Sequence, residues 1–330
     1  MKARPWSTSE KEFVLNALDS ADEDEPARLD GRHRHEHREC KFTFHQTPGF
    51  VELALGKTRV MAQLTCEVVA PHPDYDSEGF FRFNVSIAAG AGIAYAAQRS
   101  SSEEIVELTR LLERAFKEAR AIDSESLCIV KGEKVWEVRV DVTVLENGGN
   151  MADGVCLAAL AGILTFRRPY VSLTGGQVKI HSLEEHEPVS LSVHHRPIAV
   201  TIASIAGGRH LLVDPTSLEE AVAEGCITVC LNGHGEICSI NSGGGTPLSP
   251  EQMKELLQLA KRKHAVFNHT LEQAMRDAGH VFEVDSILQA KQDGVQGSAA
   301  DYMDTAADDV PHTGGPRSAR VEEPGAALLA

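Results

Sequence analysis

Val135-Trp136-Glu137-Val138-Arg139-Val140-Asp141-Val142-Thr143-Val144 leads into Leu145-Glu146-Asn147-Gly148-Gly149-Asn150-Met151 and on through an apolar run, Ala152 to Phe166. Trp136, Val138, Val140, Val142 and Val144 alternate with Glu137, Arg139, Asp141 and Thr143, the period of two of a half-buried strand. Gly148-Gly149 ends the strand, and the small apolar residues after it predict a helix. A glycine turn into a helix N-terminus presents free backbone N–H groups and the positive end of the helix dipole, which suits an anion. Such a cradle wants a hydroxyl and a fixed cation at its mouth. This sequence has Asn150 and Met151 there, and Asp153 adds negative charge. The sequence draws an anion site without its cation.

Around this unit the chain organises into two lobes. A short helix is predicted over residues 5–20, capped by Ser7 or Ser9, with Phe13, Val14, Leu15 and Leu18 on its apolar side; Asp22-Glu23-Asp24-Glu25 is an acidic loop. Strands follow at 41–45, 50–55, 59–68 and 81–88, and the Gly- and Ala-rich stretch from Gly90 to Ala97 reads as a bend. Ile105, Leu108, Leu111, Leu112, Ala115 and Phe116 give a helical stripe from Ser101 to about Ala121. In the second lobe, strands are expected at 178–181, 198–205, 210–213, 227–231 and 236–240. Ser249-Pro250-Glu251-Gln252 then opens a long helix, with a capping Ser, Pro at the first helical position and Gln three after the cap. Its buried side is read as Met253, Leu256, Leu257, Ala260, Val266, Leu271 and Met275. The boundaries so drawn are 1–27 for the N-terminal helix and acidic loop, 28–167 and 168–282 for the lobes, and 283–330 for a disordered tail. Strands followed by helices, twice, make an α+β protein.

Composition narrows the function classes. The 330 residues carry a net charge of −16, which argues against a free-standing nucleic-acid-binding module, since phosphate contact needs clustered Lys and Arg. No apolar run reaches the ~20 residues of a membrane span, and no signal-peptide core follows Met1. Seven cysteines without a paired framework point to a reducing compartment, so an intracellular protein is expected.

Four motifs, in order, resemble the RNase PH family: Arg28-Leu29-Asp30-Gly31-Arg32 with Glu36 and Arg38; Gly56-Lys57-Thr58-Arg59-Val60-Met61-Ala62-Gln63-Leu64; Val144 to Met151; and Leu211-Leu212-Val213-Asp214-Pro215-Thr216 with Glu219-Glu220. The likeness covers roughly residues 5 to 282 and is to the non-catalytic ring subunits of the RNA exosome. It implies the two-lobed RNase PH-like fold, of the ribosomal protein S5 domain 2-like kind. It also implies partners: other RNase PH-like ring subunits, cap subunits, single-stranded RNA in an assembled channel, and an associated nuclease. It implies a place in the nucleus, nucleolus and cytoplasm, in RNA processing and degradation. No cofactor, metal or membrane is expected.

RNase PH enzymes cleave RNA from the 3′ end with inorganic phosphate, and by resemblance their site needs a Ser or Thr followed by Arg, a second Arg on the first long helix, and two carboxylates. The first pair falls on Asn150 and Met151. Alignment of Arg110 to Phe116 places the second Arg at Glu104, a reversal of charge. Asp214 with Glu220 has the family's spacing of six. Anchoring on the strand 227–231 instead selects Glu219 or Glu220 with Gly225 or Cys226, and we adopt that register because a pleated strand fixes it better. Either way both phosphate-binding arginines are missing, and Met151 is read as packing, with Arg167 or Arg168 as a conceivable replacement cation.

His33, His35 and His37 share one face if extended, and could hold zinc or copper; an exposed polar strand edge is the reading adopted, since nothing completes the ligand set. Cys226, Cys230 and Cys238 are read as buried free thiols, His194 and His195 as structural. Gly243-Gly244-Gly245 is read as a strand-to-helix turn, with no Lys in P-loop spacing behind it. Lys57, Arg59 and Arg99 have two open readings: contacts to RNA phosphates, or ordinary solvated charge.

Overall fold

The structure, a computed structural model, describes residues 7–20, 28–88, 91, 101–174, 177–182, 185–244 and 248–279. The acidic loop, all of Gly90–Ala97 except Ala91, Arg99, Gly245 and the tail 283–330 lie outside the described residues.

Helix α1 (Thr8–Ser20) precedes strands β1 (Cys40–Phe44), β2 (Phe50–Leu55), β3 (Thr58–Val69) and β4 (Phe80–Ile87). Helix α2 (Ser101–Leu112) follows and is wound on as a π-helical stretch, Glu113–Glu118; then come β5 (Cys128–Val130), β6 (Lys134–Glu146) and α3 (Met151–Thr165). Short strands β7 (Arg167–Arg168), β8 (Val171–Thr174), β9 (Gln177–Ile180) and β10 (Val189–Ser190) lead to β11 (Ile198–Ile205) and β12 (His210–Val213). Helix α4 (Ser217–Val222), β13 (Gly225–Leu231), β14 (Ile237–Gly244) and α5 (Pro250–Asp277) complete the described chain.

Two sheets carry the architecture. The first runs β1-β2-β3-β6-β4, with β5 added on β6; only the β4–β6 pairing is parallel. The second is antiparallel, β12-β11-β13-β14. Helix α3 packs against β2, β3 and β6 of the first sheet and β11 of the second. That explains its composition: from Asp153 to Ile163 every residue is buried, and a helix covered on all sides has no polar face. β11 is likewise buried along its whole length. Helix α5 lies on β11 and β13 and reaches β1.

The expected helices and strands recur, with local departures. Val14 and Leu18 pack with Ala203, Ile205 and Leu212, whereas Phe13 is 63% exposed and leaves the expected apolar side. On α5, Val266 points outward, and Leu259, His264 and Phe267 fill the buried face instead. Residues 33–36 form a turn and 37–39 are irregular, so His33, His35 and His37 do not share a strand face; the His37 ring lies tilted against Phe267 with centroids 4.8 Å apart. Gly243 and Gly244 are strand residues of β14, not the turn expected of them. All three cysteines are free, but only Cys230 is fully buried; Cys226 and Cys238 are half-buried.

Candidate functional site

The glycine turn after β6 forms as its sequence suggests, and close packing is why it needs glycine. Gly149 has φ +100°, and a Cβ there would lie 2.3 Å from the backbone nitrogen of Ser217. Asn150 follows with φ 54° and ψ 54°, a left-handed conformation that Asn accepts better than most side chains. Its side chain caps α3 by accepting from the Asp153 N–H at 3.4 Å, and its amide donates 2.7 Å bonds to Asp153 Oδ2 and to Asp214 Oδ1. Met151 is the first residue of α3 and is half-buried.

The motif arginines explain the far side. Arg38 grips Asp214 with two side-chain bonds, Nε to Oδ2 at 2.9 Å and Nη2 to Oδ1 at 2.7 Å, and with its backbone N–H at 2.8 Å. It also donates to the carbonyls of Gly148 and Gly149 at 3.2 and 3.0 Å, and Thr58 Oγ1 donates to Gly149 at 2.6 Å. Arg32 adds a 3.2 Å ion pair to Asp214. Arg28 pairs with Glu219 and donates to the Val213 and Asp214 carbonyls. Asp214 is fully buried and itself left-handed, φ 51°. Burial pushes its carboxyl up, but Arg38 and Asn150 win and hold it below the ordinary carboxylate range. This carboxylate is committed to tying the 28–38 segment, the glycine turn and β12 together.

The cradle is occupied by the chain itself. Glu220, on α4, accepts the Asn150 backbone N–H at 2.7 Å. Burial raises its carboxyl to about 7, opposed by that hydrogen bond and by Arg38, and supported by the charges of Asp214 and Glu104. Helix α4 is fixed by a capping box in which Thr216 and Glu219 bond each other's backbone N–H groups. Asp153, expected to add charge at the mouth, is instead wholly buried: Thr201 binds both its oxygens, at 2.7 and 3.1 Å, and burial raises it to about 7.

The structure therefore gathers Asn150, Asp214 and Glu220 into one network, with Glu104 close enough to act on Glu220. Cys226 lies at the start of β13, where Glu220 and Asp153 add to the burial that raises its thiol to about 12. The roles of Arg28, Arg32 and Arg38 were not assigned from sequence; their recurrence in the first motif was the available signal. Lys57 is exposed in the β2–β3 turn, and its Cβ is 2.8 Å from where a side chain on Gly148 would begin. Arg59 is exposed but engaged by Glu52 and, at 3.5 Å, by Glu146. Among the described residues no His, Cys, Asp and Glu group could hold a metal ion, and no helix is long and apolar enough to cross a membrane.

Two sheets around a buried helix, with a glycine turn at that helix's N-terminus, define the α+β class of this fold. Residues 34–169 match the 3′ exoribonuclease family, domain 1, and residues 195–263 match its domain 2; the chain belongs to this RNase PH family. Within it, the chain is 40% identical over 277 residues to exosome complex component RRP45 of Bos taurus, an alignment covering 84% of this chain and 62% of that protein. It is 36% identical over 274 residues to exosome complex component rrp45 of Schizosaccharomyces pombe, covering 82% and 92%. A solved chain of the Archaeoglobus fulgidus exosome with RNA bound to the active site superposes with a TM-score of 0.68 at 25% identity, covering 79% of this chain and 97% of that one. The match thus spans less than two thirds of the Bos taurus relative's length.

Proposed function

We propose that this chain is a non-catalytic ring subunit of the RNA exosome, supporting 3′-to-5′ RNA processing and degradation while the nuclease activity resides in an associated subunit. The observation that carries the reading is the missing pair of cations: Met151 and Glu104 stand where the family's phosphate-binding arginines are expected. Phosphate would also meet Glu220 at the Asn150 N–H, a carboxyl raised to about 7 and so partly ionised near neutral pH. Asp214, spent on Arg38 and Arg32, is poorly placed to serve as an acid or base.

The expected partners are RNase PH-like neighbours in the ring, cap subunits, and single-stranded RNA in the assembled channel, with residence in nucleus, nucleolus and cytoplasm. Lys57, beside the glycine turn, is the first candidate for RNA contact, and Arg59 and Arg99 complete the set; a pure scaffold is the alternative, favoured by the carboxylates already holding Arg59. The test is phosphate-dependent release of nucleoside diphosphates from a single-stranded oligonucleotide by the purified chain. No release above a nuclease-free control is expected, and phosphorolysis that survives repurification would overturn the reading. Co-purification from cells, with the bound proteins identified by mass spectrometry, tests the ring partners.

A further inference from the structure

Away from the cradle, the β8–β9 hairpin carries three side chains in one hydrogen-bonded line. In its antiparallel register Ser172 stands opposite Lys179, and the His181 N–H donates to the Tyr170 carbonyl at 2.9 Å. Tyr170, Ser172, Lys179 and His181 therefore share one face. After β9 the Glu185 and His186 N–H groups both bond the Ser182 carbonyl, a turn that folds Glu185 back onto His181. Ser172 Oγ lies 2.7 Å from His181 Nε2, and His181 Nδ1 lies 2.9 Å from Glu185 Oε2.

The proton positions follow from the charges. The His181 hydrogen bond, helped by the nearby Lys179 ammonium, holds the Glu185 carboxyl below its ordinary range. An ionised carboxylate only accepts, so the neutral His181 ring carries its proton on Nδ1 and offers the Nε2 lone pair to the Ser172 hydroxyl. The imidazole is held on its other sides too, with ring centroids 4.5 Å from His186 and 5.8 Å from Tyr170. A hydroxyl on a base that a carboxylate orients is the arrangement of serine hydrolases, recognised by geometry and not by sequence position. Ser172 is half-buried. With Tyr170 and Leu173, which are 42% and 57% exposed, it lines a cavity of about 340 Å³, room for a small acyl group.

We propose that Ser172, His181 and Glu185 hydrolyse small carboxylic esters, with Ser172 as nucleophile, His181 as general base and Glu185 as the residue that positions it. His181 Nε2 takes the hydroxyl proton as Ser172 Oγ bonds the acyl carbon, and the carbonyl oxygen becomes an oxyanion, with the Lys179 ammonium as the cation on that face. Collapse expels the alkoxide, which leaves with the proton from His181. Water then attacks the acyl-serine and gives its proton to His181; Ser172 recovers that proton and the carboxylic acid departs. The inference does not depend on the ring-subunit reading.

The test treats the full chain with diisopropyl fluorophosphate, followed by peptide mapping, and separately with p-nitrophenyl butyrate. One phosphoryl adduct per chain is expected, on Ser172, together with nitrophenolate release that Ser172→Ala abolishes. That variant removes one oxygen from a surface hairpin and should keep the circular dichroism of the parent. His181→Asn should slow adduct formation by about a hundredfold, the low end of general-base effects. Glu185→Gln should lower kcat about tenfold at little change in KM, with Glu185→Asp recovering part of the loss. No adduct on Ser172, an undiminished rate in a folded His181→Asn variant, or ester hydrolysis unchanged by Ser172→Ala would each overturn the proposal. If the His181 variant does not fold, the mapping on the unaltered chain decides it.

Discussion

The Glu220 side chain accepts a 2.7 Å hydrogen bond from the backbone N–H of Asn150, which places one of the chain's own carboxylates in its anion cradle. Asn150 in turn holds Asp153 and Asp214 through its amide. Three acidic residues thus converge on one left-handed residue, and the cations that balance them come from the far end of the sequence.

It follows that restoring cations alone should not restore a phosphate site. Met151→Arg with Glu104→Arg should bind inorganic phosphate weakly, because Glu220 competes for the same N–H. Adding Glu220→Ala should tighten phosphate by about tenfold or more, a fair scale for removing a nearby like charge. Calorimetric titration with phosphate at constant ionic strength checks this. Equal affinity in the double and triple variants would show that Glu220 does not block the cradle. Turnover is expected in neither.

The Arg38–Asp214 pair offers a stability test. Removing one partner of a buried pair leaves an uncompensated charge, at a cost of about 3–5 kcal/mol. Arg38→Met should show a loss of that order in urea unfolding, moderated by Arg32, which also reaches Asp214. Asp214→Asn in the same chain should recover part of it, because a neutral amide no longer needs the guanidinium. Additive losses in the double variant would mean the two residues do not act as a pair.

How much of this was legible before folding depended on the range of the interactions. The span of β2, the apolar run of β11 and the Ser249 cap follow from local patterning and capping chemistry, and the structure reproduces them. The cradle's missing cation was equally local, visible at Met151. Glu220 was a site candidate from its spacing to Asp214, but its partner was not legible: it is 70 residues from Asn150, and Arg38 is 176 residues from Asp214. Periodicity also fails at the edge of a contact surface. Phe13 and Val266 were read into a helical stripe, yet both are exposed, one residue away from the buried Val14 and Phe267. The histidine triplet failed for a different reason, because alternation signals a shared face only in an extended chain, and the chain turns at residues 33–36.

Acid titration should separate two kinds of carboxylate. Burial raises Asp153 and Glu220 each to about 7. A carboxylate raised by folding keeps its proton in the fold where the unfolded chain has lost it, so stability falls as pH rises from about 4 through about 7. Asp214 is shifted the other way, and its contribution is lost only as pH falls below its ordinary range. Glu220→Gln, which preserves an acceptor for the Asn150 N–H, should flatten the decline between pH 5 and 8 and add stability of order 1 kcal/mol at pH 8. Urea midpoints across that range check it, and a slope unchanged by the substitution would contradict the raised value.

The last prediction distinguishes a channel subunit from a scaffold. Lys57 is exposed beside the glycine turn, whereas Arg59 is shared between Glu52 and Glu146. If this face meets RNA in the assembled ring, Lys57→Ala should weaken single-stranded RNA binding uniformly across sequences and lower the logarithmic salt slope by about 0.7, the value for one phosphate contact on a single strand. Arg59→Ala should do less, because its charge is already opposed. With a net charge of −16, the isolated chain should bind RNA too weakly for either change to register, so the measurement belongs in a reconstituted ring across a salt series. A slope untouched by Lys57→Ala, in a ring shown to be intact, would take this turn out of the RNA path and favour the scaffold.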